Sequence, residues 1–202
     1  MLDHVFTDAI GALRENLEDN RLEPLTDEER FLSDVLLGDL TWQTSYGLWG
    51  ETNPPRVQAD ITLEWPTWAQ SSYRSWCREE EIADPPVINI EIVLRVQRLA
   101  EPPDVASFLR VLPEQSTLVG GHALERSGPR VEIGYEDDLE EGAEHAIEIG
   151  YEGVYELDEG TLAKPDLLDD HFASMGGWIS SVLVRLGDLK LNYLPPEEDE
   201  PA

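Results

Sequence analysis

The chain has 202 residues, the length of one large domain or two small ones. Its 43 Asp and Glu against 14 Lys and Arg give a formal charge of −29, while 41% hydrophobic residues, six Trp among them, supply material for a sizeable core. A field this negative repels duplex DNA, RNA and anionic lipid, which excludes tight nucleic-acid binding and attachment to an acidic membrane surface.

Residues 4–18 read as an amphipathic helix, with Phe6, Ala9, Ile10, Leu13 and Leu17 on one face and Asp3 in capping position. Thr26 and Glu29 have capping-box spacing and predict a second, short helix carrying Phe31, Leu32, Val35 and Leu36. The stretch 41–49 alternates Trp42, Thr44, Tyr46 and Leu48 as a strand does. From 56 to 65 the alternation is clean: Val57, Ala59, Ile61, Leu63 and Trp65 face one way, Arg56, Gln58, Asp60, Thr62 and Glu64 the other. Residues 87–98 repeat the device with Ile88, Ile90, Ile92, Leu94 and Val96 inward. Asp104 caps a helix carrying Val105, Phe108, Leu109 and Leu112.

An internal likeness follows, Val131-Glu-Ile-Gly-Tyr-Glu136 against Ile147-Glu-Ile-Gly-Tyr-Glu152. Two copies are too few for a solenoid, so the segments predict two strands joined by the acidic stretch 137–144, with Ile133, Tyr135, Ile149 and Tyr151 on the buried face. Pro165 opens the longest helix, which keeps Leu168, Phe172, Met175, Ile179, Val182 and Leu186 in register and ends at Gly187. A last strand is expected around Leu189, Leu191 and Tyr193. Strands with one apolar and one polar face mark an antiparallel sheet covered on one side. The expected architecture is therefore one α+β domain over 1–194, a mostly antiparallel sheet with helices packed on one face, and an acidic tail over 195–202.

Only Lys164 and Lys190 are lysines, and the other twelve basic residues are arginines. Abundant carboxylates hold water and ions, and scarce lysine removes flexible apolar stems from the surface. Both suit a proteome working in molar salt, where the Debye length falls to about 3 Å and self-repulsion fades. A halophilic origin is the expectation. High-GC codon usage in an acidic mesophile is the alternative.

The lone Cys77 excludes an intrachain disulfide framework and a Cys-based zinc site, and its place beside Trp76 in a helical stretch suits packing better than nucleophilic attack. No apolar run approaches the roughly 18 residues of a membrane helix, and the first residues lack a basic-then-apolar leader. Asp166, Asp169, Asp170 and His171 form the best metal candidate, since Asp166 and Asp170 share a helix face and hard cations take carboxylates. Acidic residues in a first helical turn also favour the helix dipole, which is the simpler reading. Gly120-Gly121-His122 lacks the rest of any phosphate-loop pattern and reads as a turn. No nucleophile–base pairing stands out, and no cofactor is expected. Trp42 and Trp65 have core roles in strands. Trp49, beside Gly47 and Gly50, and Trp68, after Pro66, are instead placed in turns and are the candidate interface anchors.

The order of elements is an N-terminal amphipathic helix, half-polar strands, a short helix, then Arg130–Tyr135 and Ala146–Leu157 around an acidic loop. In this order and strand pattern, residues 1–157 resemble the small α+β tail-terminator and head–tail connector proteins of tailed viruses. The helix 165–187 and the tail are additions to that pattern. The resemblance implies a ring-forming virion subunit without a cofactor, whose partners are copies of itself and other assembly proteins. A soluble acidic binding or regulatory partner, a DNA mimic included, is the alternative, since 131–160 carries twelve acidic residues and no Lys or Arg. A small enzyme is the third.

Overall fold

Period-two alternation over nine and thirteen residues needs a long strand with one dry and one wet face, and the chain supplies three. The computed structural model describes residues 4–25, 30–33, 38–50, 54–82, 84–134 and 143–195. In chain order the elements are α1 (His4–Asp19), β1 (Leu22–Pro24), β2 (Arg30–Ser33), β3 (Leu40–Leu48), β4 (Val57–Trp65), α2 (Thr67–Cys77) and β5 (Val87–Leu99). They continue with α3 (Val105–Val111), β6 (Gln115–Val119), β7 (His122–Arg126), β8 (Arg130–Gly134), β9 (Glu144–Glu156), α4 (Glu159–Ala163) and α5 (Pro165–Gly187). The fold is α+β, as the alternation implies. No helix among the described residues is long and apolar enough to cross a membrane.

The described strands form one antiparallel sheet in the spatial order β1-β3-β4-β5-β9-β7-β6, with β2 beside β3 and β8 beside β9. The register stacks apolar residues across neighbouring strands. Thr44, Ile61, Ile92 and Tyr151 form one such row, and Tyr46, Ala59, Leu94 and Ile149 the next. All eight side chains are buried. Helices α1 and α5 pack together over this face. Phe6 of α1 meets Trp65 edge-on at 5.6 Å between ring centroids, and Trp178 of α5 meets Tyr151 at 4.9 Å. The two helices approach closely at Gly176, where a Cβ would lie 2.8 Å from Asn16 Oδ1.

The apolar faces expected of α1, β4, β5 and α5 are the observed ones. Asp104 caps α3 as expected, its Oδ1 accepting from the Ala106 amide at 3.2 Å. Four expectations need correction or fall away. Phe31 and Leu32 lie in strand β2, paired with Trp42 and Thr41 of β3, and not in a helix. Thr26, Glu29, Val35 and Leu36 lie outside the described residues, as do Asp3 and Tyr135. Both copies of the repeated motif contribute strands, but only the second is buried on its apolar side. Ile149 and Tyr151 are 1% and 0% exposed, whereas Ile133 is 52% exposed. The C-terminal strand shrinks to a single bridge, Tyr193 to Leu99, flanked by bonds from Leu194 N to Arg98 O and from Ala100 N to Asn192 O.

The hairpin β6–β7 has no counterpart among the expected strands. Its turn, Gly120-Gly121, runs at φ +60° and +90°, and a Cβ on Gly120 would collide with the Tyr155 ring. Glycine is required there on both counts.

Candidate functional site

The acidic cluster at the start of α5 does not converge. Asp169 and Asp170 line a groove with Glu15, Asn16 and Asp19 of α1. Burial, with Asp8, Asp166 and Asp170 nearby, pushes the Asp169 carboxyl up. Asp166 is exposed and outside that groove. His171 turns the other way: its Nδ1 lies 2.8 Å from the Tyr155 hydroxyl. Asp170 and His171 therefore serve different surroundings despite being neighbours in sequence.

Tyr155 sits at the bottom of a small polar cluster. Asp158 Oδ1 caps α4 by accepting from the Thr161 amide at 2.7 Å, which holds its carboxyl below the usual range, with the His171 ring adding a smaller pull. Burial pushes the Tyr155 phenol up to about 12. The unfolded chain ionises this group near its ordinary value of 10.0, so the unfolded state loses the proton first as pH rises. Stability from Tyr155 is thus complete below pH 10 and falls between pH 10 and 12. Of the stability lost between pH 9 and pH 11, to which the other raised phenols Tyr73 and Tyr151 also contribute, Tyr155 should account for about 1 kcal/mol, read by urea unfolding followed by circular dichroism. In Tyr155→Phe the loss should shrink by that amount, with the share of Tyr73 and Tyr151 remaining.

Cys77 is exposed at the end of α2, and Tyr73 one turn earlier is pushed up to about 12 by burial and then by its bond to Cys77. His122 follows the β6–β7 turn, exposed, with Nε2 4.0 Å from Glu156. Cys77 thus meets Tyr73 and His122 meets Glu156, two separate surface pairs with no third catalytic group beside either among the described contacts.

The uncovered face of the sheet carries the main charge feature. Glu91, Glu152 and Glu125 stand directly opposite one another on β5, β9 and β7, and Glu64 lies one row away beside Asn89. With Thr62 and Val154 they line an open concavity of about 720 Å³. Arg126 does not neutralise the row, because its guanidinium turns under the sheet to donate to the carbonyls of Leu112 at 2.5 Å and Leu109 at 3.4 Å. Further along the same face the charges balance. Arg95 reaches Glu148 at 2.6 Å and Glu132 at 3.3 Å, and Arg130 reaches Glu132 at 3.0 Å and Glu148 at 3.8 Å. Sequence reasoning missed this quartet. Its signal was present, since a hairpin of the two repeated segments sets Arg130 against Glu148.

Both candidate tryptophans reach solvent, Trp49 71% exposed and Trp68 51% exposed, while Trp42 and Trp65 are buried. Trp49 lies in a turn as expected, but Trp68 lies in the first turn of helix α2, because Pro66 opens that helix instead of a loop. Trp49 follows the end of β3, and Trp68 lies three residues past the end of β4. Because β3 and β4 are antiparallel, these ends are opposite ends of the sheet. Nine-residue strands separate them by about 30 Å. No family model, curated protein or solved structure matches the chain.

Proposed function

We propose that the chain is a structural subunit of a larger assembly, built by contact with copies of itself and with other subunits, in the manner of the tail-terminator and connector proteins its element order resembles. The observation that carries this reading is the pair of exposed tryptophans at opposite ends of β3 and β4. A head-to-tail ring needs two different contact surfaces on each subunit, facing away from each other. Large aromatic side chains in charge-poor surroundings are where interfaces concentrate their binding energy. The rest of the surface supports the same role by repulsion. A subunit of charge −29 holds nucleic acid off, which suits the wall of a channel through which DNA slides. The virion of a halophilic tailed virus, assembled in the host cytoplasm, is the matching location.

Truncation of one anchor tests this reading. Trp68→Ala should leave the far-ultraviolet dichroism unchanged and weaken assembly by about 2 kcal/mol or more, roughly thirtyfold in dissociation constant. Asp170→Ala, which touches no proposed contact, should assemble as the parent does. Loss of function in a folded Asp170→Ala chain would favour a metal enzyme instead.

The glutamate row favours a second reading, an acidic partner that offers Glu64, Glu91, Glu125 and Glu152 to a basic protein. That reading predicts a monomer, and predicts that Glu91→Gln with Glu152→Gln abolishes partner binding. The assembly reading predicts that the same double substitution leaves assembly intact.

A further inference from the structure

We propose that the free edge of β8 is a two-fold contact, where β8 of a second copy pairs antiparallel and continues the sheet across both subunits. The inference rests on the assembly reading and adds a third surface to it, a two-fold contact that joins subunits of two head-to-tail rings. Among the described residues β8 is bonded on one side only, to β9, and ends the sheet beside that part of β9. Its apolar side chains point to the helix-covered side, since Val131 stands opposite Ile147 and Ile133 opposite His145. Ile147 and His145 are buried, yet Val131 is 43% and Ile133 52% exposed. The cover that continues over β7 and β6, where Leu124 and Val119 are buried, does not extend over β8. An exposed, bonding-competent edge with two bare aliphatic residues is a template for another strand.

Charge identifies that strand as a copy of this chain. Two subunits of −29 repel each other over most of their surfaces, so a contact between them needs a region where charge cancels. The quartet of Arg95, Arg130, Glu132 and Glu148 is such a region, with two cations and two anions on the strands at this edge. A continuous sheet requires facing residues to lie on the same side, so the pairing must centre on a residue. Centring on Glu132 sets that carboxylate against its own copy, which is unfavourable. Centring on Val131 sets Val131 against Val131 of the second copy, and sets each Arg130 against the other subunit's Glu132. The edge is complementary to itself in that register. Pro129, which has no amide hydrogen, then closes each end of the ladder beside Ile133.

The test is proximity at position 131. In a Cys77→Ser background, Val131→Cys treated with a short bis-maleimide in about 2 M KCl should give a covalent dimer in high yield, because facing residues have Cβ atoms about 5 Å apart. Leu118→Cys, still more exposed at 62% against 43% but on β6, which lies on the same flank toward the opposite end of β9, should stay at background. Val131→Lys, which sets two like charges face to face, should weaken self-association by at least about tenfold without unfolding the subunit. An assembly that forms, but neither cross-links at 131 nor responds to Val131→Lys, would overturn this contact and leave the assembly reading standing. A chain that stays monomeric in molar salt would overturn both. A monomeric Val131→Cys variant whose introduced thiol resists maleimide would mean that a segment of the same chain caps the edge, which also overturns the contact.

Discussion

Ile149→Glu should abolish cooperative folding. The side chain is 1% exposed, faces Leu94 across β5 and lies under the helical layer, so a carboxylate there would be buried with no cation. Burying an unpaired charge costs about 4 kcal/mol or more, a large part of the roughly 5–15 kcal/mol that holds a domain folded. Two neighbouring substitutions calibrate the result. Glu148→Gln, on the open face, removes bonds to Arg95 and Arg130 from half-buried surroundings and should cost about 1 kcal/mol. Ile133→Glu, at the matching place in the first repeat, should cost the isolated subunit no more than about 0.5 kcal/mol. Urea denaturation of the three variants separates these values. Equal loss at 133 and 149 would contradict a helical cover that leaves β8 bare.

The thermal midpoint should rise by about 10 °C between 0.1 M and 2 M KCl. The global charge of −29 makes the folded state self-repelling in dilute buffer, and the sheet adds a local source. Glu91, Glu152 and Glu125 stand side by side on adjacent strands, where like charges are directly destabilising. Salt screens both. A midpoint indifferent to KCl would remove the halophilic reading, since the carboxylates would then be neutralised by fixed partners. Replacing Glu152 with Gln should raise the low-salt midpoint and shrink the salt response.

Elements buried on one face along their whole length were legible from sequence. β4 and β5 alternate without a break because the helices cover each from end to end, and the spacing of Leu168, Phe172, Met175 and Ile179 marked α5 for the same reason. Where burial stops partway, the pattern misleads. The segments around Ile133 and Ile149 are nearly identical, yet only one lies beneath the helices, and no local feature of Glu-Ile-Gly-Tyr-Glu encodes where the cover ends. Phe31 and Leu32 sit in a four-residue strand held by β3, too short for a period to distinguish helix from strand. β6 and β7 each bury one apolar residue, Val119 and Leu124, and so show no alternation to read. At the surface, Gly50 marked the turn that leaves Trp49 in solvent, Pro66 marked the start of helix α2 whose first turn exposes Trp68, and the orientation of His171 was hidden. Its neighbours Asp169 and Asp170 suggested a ligand set, and its actual partner, Tyr155, is sixteen residues away in sequence.

The most direct test is the mass of the unmodified chain in about 2 M KCl, measured by sedimentation equilibrium from low micromolar to submillimolar concentration. Self-association through a discrete multimer is the predicted result, with the multimer favoured as salt rises because screening removes the repulsion between copies. A single species of 22.8 kDa at every concentration and salt would contradict the proposal that this protein works by contact with copies of itself.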